Sequence, residues 1–119
     1  ARAPWKEATG TATRAPYAKE LRLLRHVLRT AAPGDPASAC AAIERFGSEV
    51  LGRTSTSWLK VAGGAKADVI VAAAQSAPPG GVVLEIGTYC AYSALLLAAA
   101  LPESRVVTLE IDPVHVIVA

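Results

Sequence analysis

Between Ala18 and Thr30 apolar residues recur at spacings of three and four: Leu21, Leu24, Val27 and Leu28 form one stripe. Arg22, Arg25 and Arg29 fall largely on other sides, so the period predicts a helix over 18–30. Pro33-Gly34-Asp35-Pro36 then breaks the pattern. Asp35 is placed as an N-cap and Pro36 as a first-turn proline for a second helix over 36–51. Ala39, Ala42, Ile43, Phe46 and Val50 give that helix its apolar face. Gly52 to Ser57 is small and polar and reads as a loop, and Trp58 to Ala62 is a short apolar segment around Lys60. Gly63-Gly64 precedes a third helix over 65–75, with Val69, Ile70 and Ala73 inward.

The period changes after Pro78-Pro79-Gly80-Gly81. Val82-Val83-Leu84-Glu85-Ile86 is a β-branched run of the length expected for a buried parallel strand. Gly87–Ala91 reads as a turn, Tyr92–Leu101 as a helix rich in Ala and Leu, and Arg105–Glu110 as a second strand. Strand, helix and strand in this order make a βαβ unit over 82–110, which implies a parallel sheet. The fold class is therefore α/β: an incomplete parallel sheet preceded by amino-terminal helices. Beyond Pro113, Val114-His115-Val116-Ile117-Val118 looks like strand rather than helix. Residues 1–16 carry Arg2, Lys6 and Arg14 among threonines and prolines, without the apolar core of a signal peptide. They read as a disordered leader, and their composition is also compatible with an organelle-transit remnant.

Composition narrows the function classes. The hydrophobic fraction is 52% and aromatics are 5%, with alanine dominant, so each buried residue removes little apolar area. Twelve Lys and Arg against ten Asp and Glu leave a formal charge of +2, too near neutrality to argue for a nucleic-acid partner. Cys40 and Cys90 have neither Cys nor His at ligand spacing and read as reduced thiols, which suits a cytoplasmic protein. From Ile86 to Pro102 there is no formal charge, but the stretch is short of the ~20 apolar residues a spanning helix needs. No membrane partner is expected.

Candidate chemistry concentrates where the first predicted strand ends. Glu85, Gly87, Tyr89 and Ser93 lie between strand and helix, where open α/β sheets bind ligands beyond the strand's carboxyl end. Gly87 allows a tight turn and close ligand approach. The following helix offers unpaired N–H groups that suit an anion, and Ser93 in its first turn adds a hydroxyl. Glu110 ends the second strand about 20 residues on, where an acid can accept hydrogen bonds from two ribose hydroxyls. Glycine turn and strand-end acid together indicate an adenosine-containing cofactor. Tyr89 stands where a dinucleotide site has its second glycine, and Glu85 would repel a pyrophosphate. A carboxylate at that point suits a ligand with a cationic end, such as the amino acid portion of S-adenosylmethionine.

Leu84-Glu85-Ile86-Gly87-Thr88-Tyr89-Cys90-Ala91-Tyr92-Ser93 resembles the glycine loop of the catechol O-methyltransferase family. Thr108-Leu109-Glu110-Ile111-Asp112-Pro113 resembles that family's ribose-binding strand end. Lys19-Glu20-Leu21-Arg22, His26-Val27-Leu28 and Pro33-Gly34-Asp35 look like its first helix and turn, so the likeness covers about residues 18–114. The resemblance implies a methyltransferase of Rossmann-like fold that moves a methyl group from S-adenosylmethionine to a hydroxyl of a small catechol-like substrate, with Mg2+. It implies that Glu85, Gly87, Tyr89 and Ser93 hold the methionine end of the cofactor, Glu110 the ribose, Ile111 the adenine side and Ala62 part of the lining. Trp58 matches a substrate-entrance tryptophan.

Three positions depart from the family pattern. Ala91 replaces a glycine, Lys60 a methionine near the sulfonium, and Gly64 an aspartate. The family's metal ligands and catalytic lysine lie beyond the ribose acid. The chain is therefore expected to carry the cofactor-binding half, with no catalytic or metal residue of its own and little activity alone. Two other readings compete: a non-catalytic truncated module that pairs through an open sheet edge, and an NAD-binding oxidoreductase fragment, against which Tyr89 argues.

Overall fold

The structure, a computed structural model, describes residues 16–51 and 59–119. The leader through Ala15, the loop 52–57 and Trp58 lie outside the described residues.

Helix α1 spans Ala18–Thr30 and α2 spans Pro36–Arg45. The Asp35 carboxylate accepts the Ser38 N–H at 3.0 Å with Pro36 in the first turn, as the sequence predicts. The second predicted helix does not run unbroken to residue 51. Its last part, Phe46–Val50, widens into a π-helical turn. Helix α3 covers Ala65–Gln75, β1 Val82–Ile86, α4 Tyr92–Ala100 and β2 Arg105–Leu109. The two strands pair in parallel, Val82 opposite Arg105 through Ile86 opposite Leu109. With α4 as the crossover, this is the βαβ unit of Rossmann-like folds.

The carboxyl-terminal segment corrects the sequence reading: Pro113–Val118 is a helix, α5. Asp112 Oδ1 accepts the Val114 N–H at 2.9 Å, and Pro113 is preset for a first helical turn. This cap outweighs the strand preference of three valines and an isoleucine, because α5 places Val118 in the core.

That core joins Leu23 of α1, Cys40, Ile43 and Phe46 of the α2 region, Cys90, Tyr92 of α4, and Val118. It differs from the predicted stripes in three places. In α1 the inward residues are Leu23, Leu24 and Val27, while Leu21 and Leu28 face solvent. In α3 the small side of the helix is inward, with Ala67 buried, whereas Val69 and Ala73 are exposed and Ile70 is half-buried. Val50 of the second helix is exposed as well. Strand β1 is not buried on both faces. Val82, Leu84 and Ile86 form an exposed row, Ile86 at 82%, while Val83 and Glu85 are half-buried.

Cys40 and Cys90 are free and buried. Burial pushes both thiols up to about 11, so each stays protonated at neutral pH. They behave here as small apolar groups rather than nucleophiles.

Candidate functional site

Pairing sets the geometry at the carboxyl ends of the strands. Ile86 lies opposite Leu109, and the Gly87 N–H donates to the Leu109 carbonyl at 2.8 Å, so the glycine turn and Glu110 emerge side by side. Gly87 has φ 94°, and no atom lies within 4 Å of where a Cβ would stand. The turn therefore borders open space at its tightest point. A Gly87→Ala substitution meets no steric neighbour, so its cost is backbone strain alone, about 1–3 kcal/mol. Urea unfolding should show that loss as a lower midpoint at constant slope; an unchanged midpoint would mean the turn relaxes freely.

Glu110 is held by four backbone donors. Its Oε2 accepts the N–H groups of Thr88 at 3.0 Å and Tyr89 at 2.8 Å. Its Oε1 accepts those of Ile111 and Asp112, both at 2.9 Å. A carboxylate offers about four lone-pair sites, so these donors fill them. The bonds, that from Asp112 first and that from Tyr89 next, hold Glu110 below the usual carboxylate range. The Thr88 and Tyr89 N–H groups of the turn thus point at the protein's own carboxylate.

Glu85 sits one strand away. Its Oε2 accepts the Thr108 hydroxyl at 2.7 Å, and the Thr108 and Thr88 hydroxyls lie 2.7 Å apart. The two acids are thus linked through Thr108 and Thr88 to a single loop. Both threonines are absent from the sequence-based site. The signal that finds Thr108 is the strand register, which places it opposite Glu85.

Tyr89 adopts left-handed backbone, φ 53°, and its hydroxyl donates to Glu20 Oε1 of α1 at 2.9 Å. Burial and the Glu20 carboxylate both raise the phenol's pKa, so it remains a neutral donor. Glu20 also pairs with Lys19 at 3.4 Å. The His115 ring of α5 lies edge-on to Tyr89 and to Tyr17, with centroids 5.0 and 5.7 Å away. Its Nδ1 is 3.9 Å from Asp112 Oδ2 and 4.0 Å from Glu110 Oε1. Tyr17 completes the cluster by donating to Asp112 Oδ2 at 2.8 Å, a bond that lowers the Asp112 pKa. Glu20, Tyr17 and His115 escape sequence reasoning because they join this cluster from outside the βαβ unit.

Ala91 also has φ 62°, in the region where an L side chain is strained and glycine is not. Its methyl group is nonetheless buried at the start of α4. Tyr92 is buried and donates its hydroxyl to Glu44 of α2, while Ser93 is half-buried in the first turn of α4.

The remaining candidates are less tightly gathered. Ile111 is 98% exposed, with only its N–H engaged, by Glu110. Ala62 lines an open apolar cleft of roughly 480 Å³ with Ala65, Lys66, Val69 and Ile70, and Glu85 and Glu110 do not line it. A Cβ on neighbouring Gly63 would meet the Tyr92 hydroxyl at 3.7 Å, which ties this segment to the start of α4. Lys60 is exposed. Trp58 lies outside the described residues. Among the described residues no group of three or more His, Cys, Asp or Glu is placed to hold a metal ion, and no helix is long and apolar enough to cross a membrane.

Parallel strands, the crossover helix between them, the glycine turn and the helices that precede them define a partial methyltransferase fold of the Rossmann-like class. No family model matches the chain. It is 42% identical over 96 residues to catechol O-methyltransferase of Mus musculus, covering 80% of the chain and 34% of that protein. The enzyme of that name from Bos taurus is 38% identical over 96 residues, with 80% and 33% covered. Transmembrane O-methyltransferase of Homo sapiens is 36% identical over 95 residues, with 79% and 30% covered. Over the matched stretch the chain is related to the catechol O-methyltransferase family. It spans about a third of the length of these curated relatives.

Proposed function

We propose that this chain carries the S-adenosylmethionine-binding part of an O-methyltransferase whose acceptor is a catechol hydroxyl. The observation that supports the cofactor most directly is the joint placement of Glu85, Gly87 and Glu110 at the carboxyl ends of two paired parallel strands, beside open space at Gly87. Two carboxylates there favour a ligand with vicinal hydroxyls at one end and a cation at the other. When bound, the cofactor supplies the methyl group carried on its sulfonium.

The chain's own residues bind and orient. Glu110 accepts the ribose hydroxyls by exchanging some of its four backbone donors, so loop movement accompanies binding. Glu85, steadied by Thr108, faces the ligand's ammonium group. Tyr89, fixed through Glu20, walls the site from the α1 side. Ser93, Ile111 and Ala62 complete the cofactor contacts, with Trp58 toward the acceptor. The catechol acceptor rests on the likeness to the catechol O-methyltransferases of Mus musculus and Bos taurus. The described residues lack the donor set that Mg2+ requires, several oxygens in near-octahedral array, so no metal site is assigned to them.

Isothermal calorimetry of the chain against S-adenosylmethionine and NAD tests the reading. Heat of binding with the sulfonium cofactor and tighter affinity for it than for NAD is the expected result. Preference for NAD would restore the oxidoreductase reading.

A further inference from the structure

The outer face of α1 is the most distinctive surface that the cofactor site leaves unused. Leu21, Arg25 and Leu28 follow one another at spacings of four and three, flanked by Arg22 and Arg29, and all five are exposed. Leu28 is 75% and Leu21 51% exposed, although both are good core residues. The helix has turned Leu23, Leu24 and Val27 inward instead and directed Glu20 to Tyr89, so the carboxylate of α1 is spent inside. Among the described residues no ion pair joins Arg22, Arg25 or Arg29 to a carboxylate. With a net charge of only +2 over the whole sequence, this clustering is local rather than compositional. The sequence preceding Pro16 adds Arg2, Lys6 and Arg14 against Glu7.

We propose that this face of α1 docks on an anionic lipid surface, with Arg22, Arg25 and Arg29 on headgroup phosphates and Leu21 and Leu28 in the acyl boundary. A guanidinium matches a phosphate through paired, planar hydrogen bonds. Aliphatic side chains within an arginine row are what an interfacial helix requires. A nucleic-acid backbone would use the charges and leave the leucines exposed, since phosphate contacts are electrostatic. The helix lies along the surface and does not enter as a span.

Co-sedimentation of the full chain with vesicles tests the proposal independently of the cofactor site. Phosphatidylcholine vesicles containing phosphatidylserine should bind it, with affinity falling as salt rises, and pure phosphatidylcholine vesicles should not. The combined substitution Arg22→Gln, Arg25→Gln and Arg29→Gln should lower partitioning about a hundredfold. Leu21→Ser with Leu28→Ser should lower it roughly tenfold or more. Both variants alter only exposed side chains, and far-UV circular dichroism should match the parent. Absence of binding to the anionic vesicles, equal binding to the neutral ones, variants that bind like the parent, or tighter binding to a single-stranded oligonucleotide would each overturn it.

Discussion

Replacing Glu110 with alanine should lower affinity for S-adenosylmethionine about a hundredfold, because bonds to a charged acceptor are the strong ones in such a site. The same change strands the N–H groups of Thr88, Tyr89, Ile111 and Asp112, so the glycine turn should loosen as well. Glu110→Gln separates the two effects. The amide keeps a carbonyl acceptor but loses the charge and presents an NH2 group where two donors now point. Calorimetry reads the affinity, and hydrogen exchange at Thr88 and Tyr89 reads the loop. Unchanged affinity in both variants would end the ribose assignment.

The acid's titration gives this prediction a pH arm. The native pKa of Glu110 is below the ordinary value of 4.5, so its stabilising contribution is present in full above 4.5 and fades as pH falls through the lower native value. Glu20 follows the same sign. Burial opposes ionisation there, but its own backbone bond and the Tyr89 hydroxyl outweigh it. The turn should therefore lose protection in the acid range and be unaffected between neutrality and pH about 5. Loss of protection beginning near neutrality would point to another group.

Phe46→Ala should cause the largest loss of stability, about 3–5 kcal/mol, as expected when a buried aromatic ring becomes a cavity. Phe46 is 1% exposed and lies within the cluster that joins α1, the α2 region, α4 and α5. Its ring is 5.5 Å from that of His26, whose buried Nε2 has no hydrogen-bond partner among the described residues. The lower end of the range applies where the neighbouring side chains relax into the space. For a small domain even that is a large share of total stability. Urea titration followed by circular dichroism measures it. A shift below 1 kcal/mol would show that the core around Phe46 packs loosely.

Legibility in the sequence varies with the range of the interaction. Helix 65–75 and strand 82–86 have the predicted limits because Gly-Gly and Pro-Pro-Gly-Gly punctuate the chain locally. The Asp35-Pro36 cap was readable for the same reason, and Asp112-Pro113 carries the same signal before α5. At the second position a run of β-branched residues obscured it. The strand-end positions of Gly87 and Glu110 are legible because both belong to one short βαβ unit. Glu20 and His115 are not, since nothing in local spacing says that α1 and α5 converge on one loop.

The amino-acid order by itself determined where α1, α3 and β1 begin and end, which residue turns the chain after β1, and which acid follows β2. These depend on backbone stereochemistry and caps that act within a few residues. Only the tertiary structure decided which side of each helix is buried. Leucines at 21, 23, 24 and 28 offer α1 two alternative stripes, and the choice came from packing against α2 and from the bond that Tyr89 makes to Glu20. The tertiary structure also turned Glu110 back onto its own loop. A carboxylate takes its bonds from whatever donors the strand pairing brings within reach, and that pairing is a property of the folded chain.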